Sequence, residues 1–235
     1  MGGKTRVAPQ LAAVMRANRN GASYYVEPFL GGGSVAALMA PEFTEVHLSD
    51  ANESLIMLWN EVINGWVPPG YMSRTQWDEL KAAEEPSAMK ALAGFGASYG
   101  AKWFAGYAKH IDGRNPAAEA SRSLRLKARR FRHADIRHQD YLDAGKVIGP
   151  GALVYCDPPY ENTTGYGAVG RFDSAQFWDT AREWSELGAR VFVSEYSAPM
   201  DWVPVWKLRV QVSMDDNHNT GLEQLFTFGK EVRRG

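Results

Sequence analysis

One cysteine in 235 residues, Cys156, excludes an internal disulfide and a cysteine-built zinc cage. The five histidines (His47, His110, His133, His138, His218) show no metal-ligand spacing, so no bound metal is expected. No apolar run approaches the roughly 18–20 residues a membrane helix needs, and Met1-Gly2-Gly3-Lys4 lacks the apolar core of a secretory signal. Internal repeats and low-complexity tracts are missing as well. So is an excess of either charge, with a net of −1. Apolar residues at 45% and charged residues at 23% set aside disordered and collagen-like classes. The expectation is a soluble, cytoplasmic chain with no membrane partner. Its length suits one α/β domain with a modest insertion, or two small domains.

The charge is balanced but unevenly spread. Residues 55–132 hold 12 Lys/Arg against 7 Asp/Glu, while the remainder holds 14 against 20. Such segregation can present a basic surface to a polyanion. Chance asymmetry accounts for it equally well.

Hydrophobic periodicity gives the organisation. Leu11, Val14 and Met15 have helical spacing. Tyr24-Tyr25-Val26 is a short strand, followed by a glycine turn and a helix start at Val35–Ala40. Glu45–Asp50 reads as a second strand ending in an acid, and residues 53–64 as a helix. Residues 65–132 break this rhythm. Pro68-Pro69-Gly70 punctuates, a Gly/aromatic stretch runs from Gly94 to Tyr107, and Ser121–Arg132 is a basic, helix-like run. Alternation of strand and helix resumes with Ile136–Tyr141, Ala152–Cys156, a helix over 174–187 and Ala189–Ser194. Trp206–Val212 and Gln224–Phe228 have no long helix between them, which predicts an antiparallel hairpin at a sheet edge. The expected boundaries are a catalytic unit of residues 1–54 and 133–235, and a mainly helical inserted domain of residues 55–132.

The sharpest motif is Val154-Tyr155-Cys156-Asp157-Pro158-Pro159-Tyr160. An apolar strand runs into an acid, two prolines and an aromatic. In an open α/β sheet, ligands bind at the carboxyl ends of strands. The prolines fix φ and leave carbonyls free to face a cleft. The bland alternative is a strand with a stiff turn begun by Asp157. An amine with a delocalised lone pair, such as adenine N6, would need these groups. Asp157 and the Pro158 carbonyl can each accept one N–H, which localises the lone pair toward an incoming methyl group. Tyr160 offers a face on which a base can stack.

A second signal is Glu27-Pro28-Phe29-Leu30-Gly31-Gly32-Gly33-Ser34. Gly31, Gly33 and Ala36 fit the dinucleotide spacing G-x-G-x-x-A, and a plain tight turn fits about as well. Asp50 ends the next strand, 17 residues after Gly33. An acid there accepts from ribose hydroxyls or caps the following helix. Turn and acid together describe an adenosine-ribose site, which NAD and S-adenosylmethionine share. Cys156 precedes an acid at a strand end, where a small buried residue is expected rather than a nucleophilic thiolate.

These pieces resemble the Dam-like, alpha-type DNA adenine-N6 methyltransferases. Four stretches match in order: Gly2-Gly3-Lys4, the run from Glu27 to Ser34, Leu48-Ser49-Asp50-Ala51-Asn52, and Cys156-Asp157-Pro158-Pro159-Tyr160. The resemblance implies a Rossmann-like S-adenosylmethionine-dependent sheet, mostly parallel with an antiparallel edge hairpin, interrupted by a target-recognition insertion. It implies S-adenosyl-L-methionine as cofactor, held by Gly3, Lys4, Glu27, Phe29, Gly31, Gly33, Asp50, Asp140 and Asp157. It implies Asp157, Pro158, Pro159 and Tyr160 at the target amine, with Val193–Ser197 beside the pocket. Such families often carry an aromatic just before Gly-Gly-Lys that covers the cofactor adenine. This sequence starts at Met1 without that residue, so either another aromatic covers the cofactor or binding is weaker.

Double-stranded DNA is the expected partner, with no obligate protein partner, and the target base must leave the duplex. Arg122, Arg125, Lys127, Arg129, Arg130 and Arg132 are the candidate phosphate contacts, and Lys102, Lys109, Arg114 and Asn115 the candidates for base reading. Trp103, Phe104 and Tyr107 fit an intercalating wedge, or more simply core. Adenine in RNA is the alternative substrate. A nicotinamide-dependent oxidoreductase would share the glycine turn but leave Asp-Pro-Pro-Tyr unexplained.

Overall fold

The computed structural model describes residues 4–111, 113–159, 172–211 and 220–229. Its seven strands are β1 (Tyr24–Glu27), β2 (Glu45–Asp50), β3 (Asp135–His138), β4 (Ala152–Cys156), β5 (Arg190–Glu195), β6 (Trp202–Gln211) and β7 (Thr220–Phe228). They form one sheet in the order β3-β2-β1-β4-β5-β7-β6. The first five run parallel, and β7 pairs antiparallel with both β5 and β6. The strand order reverses between β1 and β4, which is where an open α/β sheet leaves a crevice at its carboxyl edge. The fold is Rossmann-like with an antiparallel edge hairpin.

The helices are α1 (Ala8–Ala17), α2 (Ala36–Met39), α3 (Glu53–Ile63), α4 (Arg74–Ala82), α5 (Ala88–Ala91), α6 (Pro116–Ala128), α7 (Tyr141–Ala144) and α8 (Ser174–Glu186). Their starts are written locally. Asn52 caps α3 by accepting from the Leu55 N–H at 3.0 Å, Ser73 and Gln76 form a capping box on α4, and Asn115 with Pro116 begins α6. Asp140 caps α7 by accepting from the Leu142 N–H at 2.9 Å. That cap ends β3 at His138, short of the strand expected through Tyr141.

Alternation along β4 feeds both faces of the sheet. Leu153 and Tyr155 pack with α1, α2, α3 and α6, while Val154 and Cys156 pack with α7 and α8. All five β4 residues are buried, as a central parallel strand requires. The connection from β2 to β3 is helical throughout its named elements. α3 spans residue 55, and Leu55, Trp59, Trp77, Leu92, Leu124 and Phe131 share one buried cluster with Tyr25, Leu48 and Tyr155 of the sheet. Trp103, Phe104 and Tyr107 belong to this packing. Trp103 lies against Phe95, Phe104 meets Trp77 edge-on, and the Tyr107 hydroxyl donates to the Met72 carbonyl. Among the described residues, no helix is long and apolar enough to cross a membrane.

Candidate active site

A cavity of about 350 Å³ opens at the carboxyl edge of β1, β2, β3 and β4. It is lined by Lys4, Glu27, Phe29, the whole glycine turn, Asp50, Asp140, Asp157 and Pro159. These residues come from distant parts of the chain, and the parallel register gathers them. A volume of this size lies in the range of small-molecule sites.

The glycine turn is built by its neighbours. Gly31 and Gly33 sit at φ of +47° and +60°, the left-handed region that favours glycine. A Cβ on Gly33 would meet the Trp59 ring at 3.0 Å and the Phe131 ring at 3.2 Å, so the turn is also sterically closed there. The Asp50 carboxylate accepts from the Gly31 N–H and the Asn52 N–H, each at 2.9 Å. Asp50 therefore joins the glycine turn to the start of α3, while Asn52 supplies the helix cap. The Trp59 indole N–H donates to the Gly31 carbonyl at 3.0 Å. Burial pushes the Asp50 carboxyl up, against the two backbone N–H groups that favour its ionised form.

Lys4 precedes α1, and its carbonyl accepts from the Val7 and Ala8 N–H groups. Its ammonium lies 3.1 Å from Asp157 and 2.6 Å from Glu223 on β7. Burial works against that ammonium, but the two carboxylates outweigh it and raise its pKa. Burial raises the Asp157 carboxyl, and Lys4 opposes the rise. Glu27 is buried and accepts from the Tyr25 hydroxyl at 2.6 Å. Burial holds its proton well above the usual carboxylate range, with Tyr25 and Lys127 opposing. The Cys156 thiol is fully buried, and burial pushes its pKa well up, which keeps it a thiol rather than a nucleophile.

The far wall is aromatic. Phe29 stacks on Tyr141 with ring centroids 5.5 Å apart, and Phe172 and Phe177 meet Phe29 edge-on. Phe29, Tyr141 and Phe172 line the cavity beside Asp140 and Leu142. Asn52 also lines it, and its buried Nδ2 has no hydrogen-bond partner among the described residues.

Of the residues singled out in the sequence, Lys4, Glu27, Phe29, Gly31, Gly33, Asp50, Asp140, Asp157 and Pro159 come together at the cavity, and Pro158 is buried next to it. Gly3 and Tyr160 lie outside the described residues. Lys102, Lys109, Arg122, Arg125, Arg129 and Arg130 are exposed. Lys127 departs from the phosphate-facing place expected for it. Its ammonium turns inward to the Gly32 carbonyl at 2.7 Å and the Ser34 hydroxyl at 2.8 Å. Sequence reading missed Glu223 and Trp59. An acid inside the apolar run Leu222–Phe228 was the available signal for the first, and the helical spacing of Trp59 marked only its burial.

Residues 1–91 match the D12 class N6 adenine-specific DNA methyltransferase family. The resemblance carried by Glu27–Ser34 and Asp50 is supported over that stretch. Two solved structures are similar in layout. The rRNA methyltransferase aviRa from Streptomyces viridochromogenes is 13% identical, covering 93% of this chain and 84% of that one, with a TM-score of 0.43. An rRNA methylase from Streptococcus thermophilus is 10% identical, covering 93% and 95%, with a TM-score of 0.41. Among curated proteins, nothing matches.

S-adenosylmethionine is the methyl donor that a match to an adenine methyltransferase family implies, and the donor set at the cavity fits that group. Lys4 offers a cation to a carboxylate, Asp50 an acceptor to ribose hydroxyls, and Asp157 negative potential to a sulfonium. The Phe29–Tyr141–Phe172 wall offers an apolar face to a purine.

Proposed function

We propose that this chain transfers a methyl group from S-adenosylmethionine to the N6 amine of a flipped-out adenine in duplex DNA. One observation carries the reading. Asp157 leaves the carboxyl end of β4 on the wall of the same cavity that holds the glycine turn and Asp50, followed by two prolines. A methyl donor and an amine acceptor would therefore share one carboxylate-lined space.

When bound, S-adenosylmethionine supplies an electrophilic methyl group on a positively charged sulfur. The protein's share is to bind, orient and accept protons. Asp157 and the Pro158 carbonyl would each take one N6–H hydrogen bond, which draws the lone pair out of the ring system. Methylation leaves the nitrogen with one proton to lose. A carboxylate whose pKa burial has raised is suited to receive it. Lys4 fixes the Asp157 carboxylate from one side, and Glu223 keeps Lys4 from lying wholly on Asp157.

Residues 55–132 form the DNA-facing part in this reading. Arg122, Arg125 and Arg129 recur three and four residues apart, so they share one exposed stripe on and just beyond α6. Phosphate contacts from such a stripe position the duplex and make binding salt-dependent. Lys102 and Lys109 lie exposed in the loop preceding α6 and are among the candidates for base reading.

The test is expression in a host free of DNA methylation, followed by mapping of modified adenines and assay of methyl incorporation into duplex DNA and structured RNA. N6-methyladenine at a defined DNA sequence is expected. Incorporation into RNA alone would replace the substrate, and affinity for NAD without affinity for S-adenosylhomocysteine would overturn the chemistry.

A further inference from the structure

The basic run that ends α6 contains one cation that cannot serve a phosphate as its neighbours can. The Lys127 ammonium sits between the Gly32 carbonyl and the Ser34 hydroxyl. Ser34 in turn lies 3.1 Å from the Thr5 hydroxyl, directly after Lys4. Four side chains from three elements therefore grip the turn. Asp50 holds the Gly31 N–H, Trp59 the Gly31 carbonyl, Lys127 the Gly32 carbonyl, and Phe131 closes on Gly33. Only the last two come from the segment that carries the exposed arginines. Arg130 adds a contact from that segment to the Ala37 carbonyl at 3.3 Å.

We propose that Lys127 is a positioning residue for the cofactor: it sets the conformation of the glycine turn from the DNA-facing helix, and so couples occupancy of α6 to occupancy of the cavity. The proposal rests on the methyltransferase reading above. Its physical basis is a charge-assisted pair of hydrogen bonds in a partly buried place, where burial lowers the lysine pKa to about 8 and Glu27 opposes the fall. A charge kept there against its desolvation cost must be met by the acceptors around it. Those acceptors are the backbone and hydroxyl of the turn itself. Because the same helix bears Arg122 and Arg125 outward, a shift of α6 on binding DNA would be felt at Gly32.

The experiment uses the full chain with Lys127→Met and Lys127→Arg. S-adenosylhomocysteine is titrated by calorimetry with and without a short DNA duplex, and thermal melting monitors folding. Lys127→Met is expected to weaken S-adenosylhomocysteine binding about tenfold, to raise KM for S-adenosylmethionine with kcat changed far less, and to leave duplex affinity and its salt slope as in the parent. Lys127→Arg is expected to recover most of the loss. Wild-type binding of S-adenosylhomocysteine should tighten in the presence of the duplex, and this gain should vanish in Lys127→Met. An unchanged cofactor affinity together with a weaker, less salt-dependent duplex affinity would overturn the proposal and return Lys127 to the phosphate contacts. A wild-type chain with no affinity for S-adenosylhomocysteine would instead overturn the functional reading. If Lys127→Met fails to fold, Lys127→Arg and the wild type still decide it: cofactor affinity that declines above about pH 8 in the wild type but not in the arginine variant supports the clamp, and parallel profiles refute it.

Discussion

The Lys4 ammonium stands 2.6 Å from Glu223, closer than its 3.1 Å to Asp157. The cation next to the proposed catalytic acid is thus shared with a carboxylate from the antiparallel edge hairpin. Glu223 reaches this place because β7 runs antiparallel to β5, which brings its early residues to the sheet's carboxyl edge. The negative charge of Glu223 raises the Asp157 pKa and helps to hold the Lys4 proton. Glu223→Gln is expected to lower the Asp157 pKa. The acid limb of the pH dependence of kcat/KM should then move to lower pH, and kcat should fall because Asp157 becomes a weaker acceptor. An acid limb that stays in place would show that Glu223 does not act on Asp157.

Asp157→Asn tests the acid itself. The amide keeps the shape of the side chain but loses the negative charge that accepts from the amine. Losses of single preorganised electrostatic groups cost on the order of 10²–10³ in kcat. The expected result is a kcat drop of that size, with S-adenosylhomocysteine affinity within a few-fold of the parent. Retained turnover would remove Asp157 from the chemistry.

Much of this site was legible in the sequence because its signals are local. A strand ending in Asp157-Pro158-Pro159, a glycine turn after β1 and an acid ending β2 each fall within a few residues, and the parallel sheet then aligns strand ends without further information. Glu223 was not legible, since its role depends on β7 pairing with β5 far along the chain. The inward turn of Lys127 was not legible for a different reason. A run of cations on a helix looks the same whichever face each one takes, and only the packing of Leu124, Ala128 and Phe131 into the core turns Lys127 toward Ser34. Trp103 and Phe104 show the converse, since aromatics in a glycine-rich loop proved to be packing over Gly94.

Glu27 makes stability depend on pH. Its carboxyl is buried under the Tyr25 hydroxyl, and burial holds its proton well above the usual range. In the unfolded chain such a group ionises near about pH 4.3. Above that pH, and up to its folded pKa, the native state binds more protons than the unfolded state, so its contribution to stability falls as pH rises. Lys127, lowered to about 8, acts in the next window. From about pH 8 to 10.4 the unfolded chain holds the extra proton, and stability rises with pH there. Glu27→Gln removes the first effect and leaves the lysine. Urea midpoints at pH 5, 6 and 7 should show the variant gaining on the wild type as pH rises, at up to about 1.4 kcal/mol per unit. A difference constant over that range would mean that Glu27 titrates alike in both states.

The two glycines at positive φ should respond differently to alanine. At Gly31 the added methyl group meets nothing nearer than the Phe29 carbonyl at 3.9 Å, so the cost is conformational strain alone, on the order of 1–2 kcal/mol. At Gly33 the same strain is joined by contacts of 3.0 Å to Trp59 and 3.2 Å to Phe131, two rings that already pack edge to face with centroids 5.1 Å apart. Overpacking of this kind adds about 1–3 kcal/mol, and the displaced Trp59 would draw its N–H away from the Gly31 carbonyl. Gly33→Ala is therefore expected to lower the unfolding free energy by more than Gly31→Ala, and to weaken S-adenosylhomocysteine binding through the turn. Chemical denaturation of both variants, with calorimetric titration of whichever folds, measures the difference. Equal losses would mean that Trp59 and Phe131 yield freely and do not set the shape of the turn.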